Sequence, residues 1–280
     1  TAAAGGHVKD QANALRNRPQ RQELPDVPAE SPVLVVGGGK GGVGVSVIAS
    51  LLASRLSRTG PRVLLMDATL NQGNLHVLLG VQPTLTLESV IAGEASPEDL
   101  VLPVAENLWL LPAASGAESI HALTPMDRAR LQVRLAGLMD AYDVTVVDAG
   151  TGIEGVLRAA LTRSTRIVTV ASPEPAALAD TYALLKILSL EAPTLPLDLI
   201  VNRTLDAHEG GDAYRRLEDA AGRFLGRSLG WLGALPENLA LARAVRESRA
   251  LLERDDLVAP IVGRLLEHLP TPVADGRIAS

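Results

Sequence analysis

The stretch VLVVGGGKGGVGVS, residues 33–46, decides the fold. Val33 to Val36 is an unbroken β-branched and aliphatic run, which suits a strand buried on both faces. A glycine-rich loop follows directly, and from Val47 the apolar spacing becomes helical. Within the loop the frame G-x-x-x-x-G-x-[ST] runs from Gly39 through Lys40, Gly41, Gly42, Val43 and Gly44 to Ser46. Glycines let consecutive backbone N–H groups turn inward, and the following helix adds its positive end, so the loop is built to cradle phosphate. A Ser closing such a loop is placed to ligate Mg2+. Position 45 departs from the pattern. A phosphate loop that transfers phosphoryl groups carries Lys there to neutralise the β- and γ-phosphates. Val45 offers neither charge nor donor, and losing such a partner costs about 2–5 kcal/mol of binding.

Working outward, short apolar runs alternate with helical stretches. Strands are expected at Val63–Met66, Leu108–Leu111, Val144–Val147, Ile167–Val170, Leu197–Val201 and about Leu229–Leu235. Helices are expected at Val47–Arg58, Met126–Ala141 and near 175–191, 211–225 and 256–269. The pattern implies an α/β fold: a three-layer, doubly wound, mostly parallel sheet with helices on both faces. Its binding site belongs at the carboxyl ends of the strands. The expected division is a polar tail over 1–31, one domain over 32–270 and a short polar tail over 271–280. In the last helix, Leu257, Val258, Ile261, Val262, Leu265, Leu266 and Leu269 form a stripe expected to pack on the sheet rather than on lipid.

Composition narrows the function. The 280 residues are 47% hydrophobic but only 2% aromatic, so the core is aliphatic and no stacking platform for single-stranded nucleic acid is expected. A formal net charge of −6 provides no global field for DNA or anionic lipid. Cysteine is absent, which removes disulfides, thiolate metal sites and cysteine nucleophiles. No apolar run approaches the ~18 residues of a membrane span, and no signal-peptide core is expected near the N-terminus. Cytoplasmic is the expected compartment. The five histidines, at 7, 76, 121, 208 and 268, lack metal-ligand spacing and are expected to be structural or surface residues.

Inside the N-terminal tail, Asp10 can cap a helix over about 10–18 that ends before Pro19. Val8, Ala12 and Leu15 then line one narrow stripe. Two readings stay open on these residues alone: nascent helix in a disordered tail, or a peptide that docks in a partner's groove.

Lys40-Gly-Gly-Val-Gly44 resembles the deviant Walker motif of the MinD/ParA family of P-loop ATPases, in which an early lysine crosses a dimer interface to the partner's nucleotide. Val63-Leu-Leu-Met-Asp67-Ala-Thr69 is similar to the family's switch I, and Val146-Val-Asp148-Ala-Gly-Thr-Gly152-Ile-Glu154 to its Walker B and switch II. Asn202-Arg203 matches its adenine-side pair, and Leu235-Pro236-Glu237 its loop over the base. The resemblance covers roughly residues 31–270. It implies an ATP or ADP site with Mg2+ held by Ser46, Asp67 and Asp148. Within the family, Asn74-Leu-His-Val-Leu-Leu-Gly80 and Asp10-Gln11-Ala12-Asn13-Ala14-Leu15-Arg16 resemble segments of the flagellar-number regulators (FlhG, also FleN or YlxH). The second element implies docking on, and stimulation of, an FlhF-like GTPase of the signal-recognition type.

The departures point away from catalysis. Thr69 stands where the resemblance implies the aspartate that positions the attacking water, and Asn71 and His76 replace a glycine and an acid. With Val45, two catalytic side chains are missing while the frame survives. The expectation is a pseudo-ATPase whose nucleotide binding is weakened or absent. It would act through protein surfaces in flagellar assembly, number or polar placement, recruited to a cell pole or flagellar base. Further partners implied are flagellar basal-body or transcription-regulator proteins, and a second copy or an intact homologue as dimer partner. Two alternatives stay open: an active ATPase of the class with a substituted lysine, and a ParA-like DNA-partitioning factor.

Overall fold

The computed structural model describes residues 31–69, 73–85, 89–90, 92–113, 124–152, 156, 164–247 and 249–269. Contacts divide the chain between Glu30 and Ser31, and the described residues belong to the unit Ser31–Ser280. The expected helix at 10–18 and the tail at 271–280 lie outside the described residues.

Eight strands form one sheet: β1 (Val33–Gly38), β2 (Val63–Asp67), β3 (Leu102–Ala105), β4 (Leu108–Leu111), β5 (Val144–Thr151), β6 (Arg166–Ala171), β7 (Leu197–Thr204) and β8 (Gly230–Pro236). Their order is β3-β4-β2-β5-β1-β6-β7-β8. Every pairing is parallel except β3 with β4. Helices α1 (Val45–Ser57), α2 (Leu75–Leu78), α3 (Pro125–Met139), α4 (Pro175–Glu191), α5 (Ala207–Leu225), α6 (Leu239–Arg246) and α7 (Ala259–Leu266) complete the described elements, with 3-10 turns at Pro97–Leu100 and Arg249–Val258.

Alternation along each strand feeds two aliphatic cores, because successive side chains point to opposite faces. Leu34, Val36, Leu65, Val146, Val168 and Ile200 join α1 and α7 on one side. Val33, Val35, Leu64, Val147, Ile167 and Leu199 join α3, α4 and α5 on the other. The sheet is therefore covered on both faces, as its unbroken apolar strands require. Of the expected stripe, Val258, Ile261, Val262 and Leu265 are buried and Leu257 and Leu269 are partly buried against the same core, while Leu266 is 41% exposed. The scarce aromatics are used for packing, with Trp109 tilted on Tyr142 and Tyr214 on Trp231. No helix among the described residues is long and apolar enough to cross a membrane.

Helix α1 runs through the centre, with ten of its thirteen residues buried. Its serines are reconciled with burial by bonding. Ser50 donates to the Ser46 carbonyl at 2.8 Å, and Ser54 donates to Asp255 Oδ2 at 2.7 Å. The same carboxylate pairs with Arg58 at 2.5 Å, which ties the Arg249–Val258 turn to α1. This scaffold fixes the glycine loop between β1 and α1 at the carboxyl edge of the sheet.

Candidate functional site

The chain leaves β1 with Val36 paired to Asp148 of β5 on one side and to Val168 of β6 on the other. β1 connects to β2 on the β5 side, while the β5–β6 connection crosses to the other side. The loop thus sits at the switch point where ligands bind in such sheets. Gly44, the N-cap of α1, has φ of 96°, a left-handed geometry that suits glycine. A side chain there would also lie 2.5 Å from the Asn202 amide. Gly39 is needed for close approach, since a Cβ would meet the Asp180 backbone of α4 at 2.4 Å.

Protein groups hold the loop from several strands. Asn202 Nδ2 donates to the Val43 carbonyl at 2.8 Å. The Arg203 guanidinium donates to the Gly42 carbonyl at 3.3 Å and faces Glu237 at 3.6 Å. Arg203 takes a left-handed φ of 60°, uncommon for a residue with a side chain. The Gly152 amide, after β5, donates to the Gly38 carbonyl at 2.9 Å. Pro236 ends β8 in register with Thr204 and is exposed on the same edge. Asn202 and Arg203 therefore bond the loop directly, and Pro236 ends the neighbouring strand on the same side of the sheet.

Val45 is the first residue of α1 and is buried, 4% exposed, in the aliphatic core with Val43. Its methyl also packs against Gly38. Lys40 is half-buried and lies 3.9 Å from Glu174, which accepts a 3.0 Å hydrogen bond from Ser172. Glu174 escaped the sequence reading. Its one signal was its place just past a strand's carboxyl end.

Asp67 and Asp148 stand side by side on β2 and β5 in register. Burial pushes the Asp148 carboxyl up to about 6; the Ser46 hydroxyl and the Gly150 amide pull it back, and Asp67 adds to the rise. Asp148 Oδ1 accepts from the Gly150 amide at 2.9 Å. Its other oxygen is buried without a partner among the described residues. A lone buried carboxylate oxygen beside a serine hydroxyl suits a hard cation such as Mg2+. Ser46 and Asp148 would hold it, and the ion would supply charge for bound phosphate. Asp67 is differently engaged: Oδ1 accepts from the Thr69 amide and hydroxyl at 3.1 and 2.5 Å, and Oδ2 from the Leu75 amide at 3.2 Å. Of the expected metal set, the structure joins Ser46 with Asp148 and gives both Asp67 oxygens other partners. Among the described residues, no three acidic or histidine side chains make a metal site by themselves. Asn71, Glu154 and the segment Asp10 to Arg16 lie outside the described residues.

A family profile described as an AAA domain matches residues 31–195. The antiactivator FleN of Pseudomonas aeruginosa is 34% identical over 245 residues, covering 86% of this chain and 88% of FleN. The flagellum site-determining protein YlxH of Helicobacter pylori is 32% identical over 245 residues, 85% of this chain and 83% of YlxH. The cell-division ATPase MinD of Pyrococcus furiosus superimposes with a TM-score of 0.70 at 24% identity, over 85% of this chain and 99% of that one. MinD of Pyrococcus horikoshii, solved with Mg-ADP, gives 0.68 at 24%, over 85% and 96%. With its sheet order, its glycine loop at the switch point and these relatives, the chain belongs to the MinD/ParA family of P-loop proteins, among the relatives of FleN and YlxH.

Proposed function

We propose that this protein is an FlhG-like regulator of flagellar number or placement that works through protein surfaces and does not turn over ATP. The observation that carries the reading is Val45, buried in aliphatic surroundings where phosphoryl transfer needs a lysine. Thr69 supports it, because its hydroxyl is spent on Asp67 and it has no carboxylate to take a proton from water. The loop itself is intact and braced by Asn202, Arg203 and Gly152, so the frame persists without the chemistry. The likeness to FleN and YlxH supports the flagellar assignment.

In this reading the Asp10–Arg16 element stimulates an FlhF-like GTPase, and the P-loop domain meets further flagellar partners or a second copy. The place of action is the cytoplasm, at a pole or flagellar base. Nucleotide binding is weak: backbone donors, Ser46 and Asp148 remain, while Lys40 is the only lysine on the loop and lies against Glu174. Calorimetric titration with MgATP and MgADP, run beside Val45→Lys, tests this. The expected result is little or no heat from the original chain and a gain of at least about thirtyfold in affinity in the variant, the low end of a lost charged partner. Equal, tight binding by both chains would contradict it.

A further inference from the structure

Asp67 is 5% exposed, a buried carboxylate at the end of β2. A buried carboxylate needs a cation or a full set of donors. Among the described residues no ion pair reaches it, and its partners are three donors from its own segment: the Thr69 amide, the Thr69 hydroxyl and the Leu75 amide. The two branches of Thr69 have separate tasks. The hydroxyl lies 2.5 Å from Asp67 Oδ1, while the methyl carbon fills the space over Gly150, 2.7 Å from where a Cβ would stand there. Gly73 closes the arrangement from the other side, with room for a Cβ denied by Ala113 and Asp67 Oδ2. Leu75, fully buried, anchors what the clamp holds.

We propose that Thr69 is a positioning residue that clamps Asp67 in place of a cation, so that the ends of β2 and β5 and the start of α2 are assembled without nucleotide or metal. This rests on the non-hydrolysing reading and deepens it by tying Asp67, Thr69 and Leu75 together without a ligand. It also makes Thr69 incompatible with the acid it replaces. A carboxylate at that position would face Asp67 at hydrogen-bonding range with Asp148 on the adjoining strand, a crowding that an added cation or a shared proton would relieve.

The test uses the full chain without nucleotide, reading hydrogen exchange at the Leu75 amide and Tm in EDTA and in millimolar MgCl2. Thr69→Val, which keeps the methyl and loses the hydroxyl, is expected to speed Leu75 exchange about tenfold, while Thr69→Ser stays near the original. Thr69→Asp is expected to lose several degrees of Tm in EDTA and regain them with MgCl2. The original chain should respond far less to the metal. Leu75 exchange in Thr69→Val equal to the original, or a Thr69→Asp chain whose Tm ignores Mg2+, would overturn the proposal. Should Thr69→Val fail to fold, Thr69→Ser and Thr69→Asp carry the same decision. Because nucleotide is absent throughout, a failed clamp leaves the calorimetric result standing, and the reverse also holds.

Discussion

Burial holds the Asp148 carboxyl at a pKa of about 6 against an ordinary 3.8, and that difference acts on stability. Below the unfolded value both states carry the proton and the folded chain has no penalty. As pH rises through the window between the two values, the unfolded chain releases its proton first, so stability falls. Above about 6 the penalty is complete, of order 2–3 kcal/mol at 1.36 kcal/mol per unit. Asp148→Asn should therefore melt higher than the original chain at pH 7 and converge with it below pH 4. Melting curves that run parallel from pH 4 to 8 would show that Asp148 carries no such cost. At this scale the site was legible where chemistry depends on residue identity. Val45 and Thr69 are visible in the sequence as departures from the pattern. The engagement of both Asp67 oxygens did not show there, because it depends on the chain returning through Gly73 to Leu75. No local spacing encodes that return.

Helix α5 begins four residues before the position expected from sequence. Asp206 Oδ1 accepts from the Glu209 amide at 2.8 Å, and Glu209 reaches back to the Leu205 amide at 2.6 Å. Asp-x-x-Glu is a helix-start signal, but the following Gly210-Gly211 reads locally as a breaker. Gly210 is there because α5 crosses close over Ala234 of β8, a tertiary demand that overrides propensity. Asp206→Ala should cost about 1 kcal/mol, or a Tm drop of roughly 2–4 °C for a chain of this size, by thermal melting. An unchanged Tm would mean the cap is solvated rather than stabilising. Pro260 likewise splits the expected helix at 256–269: it occupies the first turn of α7, leaving a 3-10 turn before it. Strand β3 was missed because four residues containing Pro103 make a weak local signal, and Pro is tolerated there only because the strand lies on the sheet's edge. The turn at Arg249–Val258 is held to α1 by Asp255, and Asp255→Ala should cost about 2–3 kcal/mol, the scale of hydrogen bonds to a buried charge. Denaturant melts check this, and a loss below about 0.5 kcal/mol would show that the tie is incidental.

For the whole molecule, the doubly wound sheet was readable from unbroken apolar strands separated by helices, and its order confirms that reading. The two aliphatic cores and the braced loop build the frame of a nucleotide switch around a site that lacks its charge. In the proposed reading, function rests on surfaces. A peptide of residues 5–19 should stimulate the GTPase activity of an FlhF-like partner, and Leu15→Ala should abolish the effect; no stimulation by either the peptide or the full chain would remove the partner assignment. Steady-state ATP hydrolysis by the 280-residue chain with Mg2+ asks directly whether the site turns over nucleotide. Phosphate release is expected to be no faster than in the protein-free blank. Mg2+-dependent turnover that disappears in Asp148→Asn would contradict it.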